Sequence, residues 1–366
     1  MTSRPHSPLN PPLPFVGPLL AWVRRNLFSS WISSLVTLVI GALLVAAIPP
    51  VYAWALGHAV FVPDVKLCRA AQGEGACWGF VAEKARLILF GRYPYAEQWR
   101  PLVATLILGG ALFISCFRRF WKTWLAGLWA AALLIFVLLM TGGFWGMSRV
   151  ETNLWGGFPL TLVLTVVGIF LALPLAILIA LGRRSNMPII RSFCIFYVEI
   201  IRGVPLITVL FTASFLFPLF LPPEYNIDVM LRIQIGIVLF TAAYLAETIR
   251  GGLQAIPKGQ YHAASALGLG YWQATGSIIL PQALRIVVAP MVNTFISTFM
   301  DTSLVMVVSL YDLTGALKLA LGDPSWKPFF REGYLFVGAI YLVCCYGMSR
   351  YSQWVERHIN RRISRP

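Results

Sequence analysis

The sequence predicts an all-α, polytopic membrane protein with about eight transmembrane helices. Three observations carry this. The 366-residue chain is 58% apolar and only 12% charged, where a soluble domain carries about a quarter charged residues. Apolar runs near the roughly 20 residues that span a bilayer lie at residues 27–48, 101–117, 124–140, 158–181, 204–221, 231–246, 286–310 and 333–348. The basic residues that produce the net charge of +15 are sorted between alternate connections.

That sorting sets the orientation, because basic residues stay on the cytoplasmic side. With the N-terminus inside, the inner segments hold Arg24-Arg25, Arg118-Arg119, Lys122, Arg183-Arg184, Arg191, Arg202, Arg250, Lys258, Arg285, Arg350 and the basic tail. Their only acids are Glu199, Glu247 and Glu356, while the outer loops are nearly balanced. Both termini are therefore expected in the cytoplasm. The charge is a topology signal, and no nucleic-acid partner is needed to explain it.

Taken in order, residues 1–26 form a cytoplasmic tail, Pro-rich over 1–22. The first run follows Arg24-Arg25. It exceeds the 7–15 residues of a secretory signal core, which favours an uncleaved anchor, although Ala53 and Ala55 keep a cleavage reading open. Residues 51–100 form the longest soluble stretch and face outside. Cys68 and Cys77 lie in it. An oxidising outer compartment permits a disulfide closing this small loop; two free thiols are the alternative. Cys116, Cys194, Cys344 and Cys345 lie in or near apolar runs and read as small hydrophobes. The second and third runs carry no buried charge, which implies peripheral support or assembly. Residues 27–157 are thus an N-terminal transmembrane section.

The organising stretch is 244–281, YLAETIRGGLQAIPKGQYHAASALGLGYWQATGSIILP. It is polar, Gly-punctuated and helix-prone between long apolar runs. Glu247 and Arg250 end one helix, and Gly251-Gly252 loosen the backbone after it. Pro257 suits the start of a new helix over 258–267, with Tyr261, Ala264 and Leu267 on one apolar stripe. Gly268 and Gly270 can stop it. A second short helix over 271–280 ends at Pro281. The product is a helix–turn–helix knob, too small for a domain and shaped to fill a groove on another protein.

At these residues the chain resembles the coupling loop of bacterial ABC-importer permeases, whose pattern is E-A-A, three residues, Gly, nine residues, then I-x-L-P. Here Ala263-Ala264 precede Gly268 by that spacing, and Ile278, Leu280 and Pro281 complete it. His262 stands where the family usually has Glu. The context around Gly251, Pro257 and Gly259 is similar to the branch that imports polar amino acids. The likeness covers about 158–357, and FGRYPYAEQWRP at 90–101 resembles an insertion in larger permeases of general L-amino-acid importers.

The resemblance implies a five-helix type I importer core in residues 158–357, a coupling loop at 244–281 and a cytoplasmic tail at 358–366. It implies a bacterial inner-membrane location and alternating access driven by two copies of a partner ATPase. A second homologous permease, giving a heterodimer, and a periplasmic amino-acid-binding protein complete the partners, with an L-amino acid as substrate. The chain would not be an enzyme and would bind no cofactor; ATP and Mg belong to the ATPase. No P-loop pattern is present, and no spacing suggests a metal site.

Two further constellations carry chemistry. Glu199 and Arg202 are three apart on a helix and can pair, with Gly203 and Pro205 following; the family shows this element near the inner end of the pathway, while an interfacial ion pair is the plainer reading. In NTFISTFMDTSLVMV, Asp301 is expensive in hydrocarbon and should face the bundle interior or a wet cavity. Thr298, Asp301 and Thr302 share a helical face, with Ser303 adjacent, and suit the ammonium group or a basic side chain of an amino acid. Met300 replaces the Lys that the family often has. Leu313, Leu317 and Leu321 mark a short helix in the outer loop 311–332. An ATP-independent channel or secondary transporter would also explain Asp301, but it leaves the knob without a role.

Overall fold

The computed structural model describes residues 16–363 except 145, 221, 223, 225 and 226. The first 15 residues of the expected tail and the C-terminal residues beyond 363 lie outside the described residues. The chain divides into two compact units between Gly79 and Phe80.

The first unit begins with α1 (Val16–Asn26) and α2 (Trp31–Tyr52). Ser30 caps α2 by accepting the Ser33 N–H at 3.2 Å. No residue of α2 is buried, although almost all are apolar. Pro49 and Pro50 fall in its last turn, and a π-helical turn, Ala53–Gly57, follows. Asp64 caps α3 (Val65–Ala70). Cys68 and Cys77 are disulfide-bonded, with Cα atoms 5.4 Å apart. The Trp78 indole donates to the Ala55 carbonyl at 2.8 Å and ties the segment together.

The second unit takes up α4 (Trp78–Phe90) from Phe80 and is mostly helical. The pair α5 (Trp99–Ser115) and α6 (Trp124–Thr141) packs against α7 (Gly157–Gly182) in one apolar core. That core joins Leu108, Phe136 and Leu164 to Ile233 and Val305, so packing continues across residue 157. The sequence predicts no buried charge here. The structure differs: the span starts at Tyr95 and encloses Arg100, which is fully buried. Arg100 pairs with Glu97 and donates to the carbonyls of Leu139 (2.7 Å) and Ser148 (3.0 Å). A buried guanidinium is tolerable only with such partners.

At the centre, α7 packs on α10 (Val229–Ala255). Ala172, Ala176 and Ala180 meet Ala242, Ala243 and Ala246 in a second core, all fully buried. Small residues let two helix backbones approach closely where lipid offers no hydrophobic drive. α10 extends beyond its apolar run, as does α16 (Phe330–Ile363), in line with the shortness of both runs.

Among the described residues seven helices are long and apolar enough to cross a membrane, and a bent pair makes eight. The bent pair corrects the fifth expected span. α8 (Pro188–Gly203) meets α9 (Leu206–Phe211) at 105°, and α9 continues only as π and 3-10 turns to Phe220. Val204 is extended (φ −111°, ψ 135°), the conformation that a following proline imposes, and Pro205 has no N–H to continue a helix. The seventh span is α14 (Val288–Asp301), prolonged by a 3-10 segment, Thr302–Val308.

At the other end of the bundle, β1 (Tyr311–Asp312) bridges to Gly156 and Gly157 and leads into α15 (Leu313–Ala320). Leu313 and Leu317 share one fully buried face of α15, while Leu321, the third of the predicted stripe, is its half-buried C-cap. Lys84 of α4 pairs with Asp323 at 3.0 Å and holds that carboxyl below its usual range.

Candidate functional site

The knob consists of α11 (Lys258–Ala266), α12 (Tyr271–Ala274), a π turn Thr275–Ile279 and α13 (Leu280–Ile286). Two local expectations need correction. Gly251-Gly252 do not loosen α10, which runs on to Ala255. Gly252 is there for close approach: a Cβ would lie 2.7 Å from Val287 Cγ1 and 2.8 Å from the Ala283 carbonyl. Nor does Pro281 end a helix. It sits in the first turn of α13, where its missing N–H is not needed, and the π turn before it absorbs the change of register.

The end of α11 follows its sequence closely. Gly268 has φ +72°, its N–H bonds the Ser265 carbonyl, and the Leu269 N–H bonds the Ala264 carbonyl. This is a Schellman motif, which satisfies carbonyls left open at a helix end. Ala264 is buried, but Leu267 is 76% exposed, so the predicted stripe splits. Leu267, Tyr271 and Trp272 together form an exposed apolar tip. Gly259, His262 and Ala263 lie exposed along α11, and Ile278 and Leu280 are half-buried beneath it.

Beneath the knob, charge ties the ends of the spans to one another, and Arg184 reaches the knob itself. Glu247 accepts from Arg183 Nη1 at 2.7 Å and from Arg250 Nε at 3.0 Å, with Arg202 at 3.9 Å. Arg183 also reaches Glu199 at 3.0 Å. The expected Glu199–Arg202 pair is therefore replaced: Glu199 takes Arg183, and Arg202 lies over the Tyr244 ring and toward Glu247. Arg184 donates to the Leu253 carbonyl at 2.7 Å and to the Tyr261 hydroxyl at 2.9 Å. Sequence reasoning assigns Arg183-Arg184 to orientation alone. Their position immediately after an apolar run, at the same membrane level as Glu247, was the available signal for more.

The four inner-end candidates do not form one group. Gly203 closes α8 and Pro205 opens α9, so both act through the bend.

The pathway candidates also separate. Thr298 and Thr302 are buried, and their hydroxyls donate to the carbonyls of Thr294 (2.9 Å) and Phe299 (2.8 Å) in their own helix. Thr298 also meets Thr241 at 3.3 Å. Asp301 and Ser303 are half-buried, and the Asp301 carboxylate has no hydrogen bond or ion pair to the described residues. Asp312, which sequence reasoning missed, is fully buried. It caps α15 through the N–H groups of Thr314 (3.1 Å) and Gly315 (2.8 Å) and accepts from the Tyr341 hydroxyl at 3.2 Å. Burial pushes its carboxyl up to about 6. The D-x-T-G pattern of a helix cap was legible.

Residues 165–361 match the family described as binding-protein-dependent transport system inner membrane component. The chain is 46% identical over 349 residues to the inner membrane amino-acid ABC transporter permease protein YhdY of Escherichia coli K12, covering 93% of each. It is 38% identical to the glutamate/glutamine/aspartate/asparagine transport system permease protein BztC of Rhodobacter capsulatus, covering 97% of this chain and 96% of that one. Among solved structures, an amino acid ABC transporter with histidines is 29% identical, with a TM-score of 0.49, over 55% of this chain and 92% of that chain. On the helical bundle, the knob between α10 and α14 and these sequence matches, the chain belongs to the binding-protein-dependent transport system inner membrane component family, as a polytopic permease subunit.

Proposed function

We propose that this chain is the inner-membrane permease of an ATP-driven importer of L-amino acids with polar or general specificity. The observation that carries the reading is the knob: an exposed apolar tip of Leu267, Tyr271 and Trp272 above a base where Arg183 and Glu247 join α7 to α10 and Arg184 holds Tyr261 of α11. Such a tip suits a groove on an ATPase, and such a base transmits motion rather than absorbing it. Two ATPase copies grip two knobs, one from this chain and one from a homologous permease in a heterodimer. A periplasmic binding protein delivers the substrate, and ATP-driven closure switches the bundle between two packings. Both termini lie in the cytoplasm. ATP and Mg are bound by the ATPase.

Asp301 and Ser303 line the pathway in this reading, with Thr298 and Thr302 shaping the wall behind them. The unpartnered, half-buried carboxylate supports a role toward the substrate ammonium group. The relative named for glutamate, glutamine, aspartate and asparagine transport supports polar cargo.

The test is purification of the tagged chain in mild detergent from its native membrane, followed by uptake in vesicles. Co-purification of a P-loop ATPase and a second permease, with amino-acid uptake that needs ATP, is expected. A chain that emerges alone after cross-linking, and conducts without ATP, would overturn the proposal in favour of a channel.

A further inference from the structure

Beside the knob lies a cavity of about 310 Å³ lined by Arg183, Arg184, Arg191, Ile195, Arg250 and Gln254. Four arginines line it, from the end of α7, the start of α8 and the end of α10. Among the described residues only two carboxylates touch them: Glu247 contacts Arg183 and Arg250, and Glu199 contacts Arg183. Arg184 directs its hydrogen bonds to the neutral oxygens of Leu253 and Tyr261. The Arg191 guanidinium has no hydrogen bond or ion pair to the described residues. The pocket therefore carries an excess of positive charge, and the Arg191 guanidinium keeps its donors open to a further anion.

Its setting adds a second observation. α8 meets α9 at 105° and exposes Ile189, Phe193, Phe196 and Ile200 along one stripe. An amphipathic helix held across the bundle lies in the plane of the membrane interface with such a stripe toward lipid. The opposite face of α8, bearing Arg191 and Ile195, then meets the pocket at the level of the phosphates. Guanidiniums match phosphate geometry better than any other side chain, and basic pockets between transmembrane helices bind phosphate head groups.

We propose that this pocket is a phosphate-binding site, taking the phosphate of a lipid headgroup or of a soluble phosphate compound. It rests on the inner-end assignment given above, but not on the cargo. A bound phosphate would join α7, α8 and α10 directly behind the coupling knob, and its occupancy would tune how firmly Arg184 holds Tyr261 of that knob.

The test uses the full purified chain and two probes, phosphatidylglycerol and inorganic phosphate, read by native mass spectrometry and by thermal protection. Phosphatidylcholine is the zwitterionic control. Arg191→Gln is the main variant and should weaken binding about fivefold, the effect of one cation at an anionic surface. Arg191→Lys should keep most of the binding, and Arg119→Gln, remote in sequence and on another connection, should keep all of it. Phosphatidylglycerol retention lost in Arg191→Gln would identify the lipid source. Phosphate protection lost in that variant, with both lipids retained equally, would identify the soluble source. Binding of both probes that is the same in wild type and in a normally melting Arg191→Gln would overturn the site. The importer proposal would survive that result, because uptake and subunit capture are measured separately.

Discussion

Arg183 and Glu247 lie 2.7 Å apart and join the end of α7 to the last turns of α10. The Arg183 side chain is 10% exposed and that of Glu247 25%. Glu247 gathers three arginines, Arg183, Arg202 and Arg250, at the point where the membrane bundle gives way to the knob. We expect Glu247→Gln to lower the melting temperature modestly, by about 1 kcal/mol of stability once solvent screening is allowed for. Coupling should suffer more than stability. ATP hydrolysis by the assembled complex would persist while uptake falls, and a variant that melts early yet transports normally would refute the coupling role.

Neighbouring glycines should behave oppositely. A methyl group added at Gly251 has nothing within 4 Å, so Gly251→Ala should stabilise α10 by about 0.5–1 kcal/mol. At Gly252 the same methyl meets Val287 and the Ala283 carbonyl, so Gly252→Ala should cost about 1–3 kcal/mol. Thermal melting of the two variants side by side separates helix propensity from helix contact.

Gly268 tests backbone conformation alone. Its surroundings are empty, but its φ is +72°. Gly268→Ala should cost about 1–2 kcal/mol locally, the penalty for a left-handed L-residue. Gly268→Asn should cost less. Gly268→Asp adds charge at the turn, and it is expected to uncouple or disassemble the complex; normal ATP-driven uptake by that variant would refute the role of the knob.

Asp301→Asn should leave membrane insertion unchanged and reduce uptake about tenfold, as loss of one charge-assisted hydrogen bond would. Unchanged uptake across a panel of polar amino acids would remove Asp301 from the pathway.

The pH dependence of stability should carry the mark of Asp312. Its folded carboxyl titrates at about 6, above the ordinary 3.8, because burial disfavours the charge. The folded state therefore holds its proton more tightly than the unfolded state. Stability is greatest below about pH 4, falls as pH rises toward 6, and is flat above that, a change on the order of 3 kcal/mol. Asp312→Asn can still cap α15 and should flatten this slope in melting curves taken between about pH 4 and pH 7.

Much of this protein follows from its sequence alone. Hydropathy and the sorting of arginines determined an all-α polytopic chain, because a bilayer demands long apolar helices. The spacing from Ala263 through Gly268 to Pro281 determined the knob and its Schellman turn, since left-handed φ at that position selects glycine. Tertiary structure decided what depends on partners distant in the chain. Arg183 pairs with Glu247, 64 residues away, and also takes Glu199, so the local Glu199–Arg202 pair that helical spacing favours does not form. Gly252 is a packing contact rather than a hinge because α13 lies against it. Pro205 opens the fifth span, but the packed chain sets that span at 105° to α8. Thr298 and Thr302 turn their hydroxyls onto their own helix. Periodicity reports which residues share a face; only the packed chain decides what that face meets.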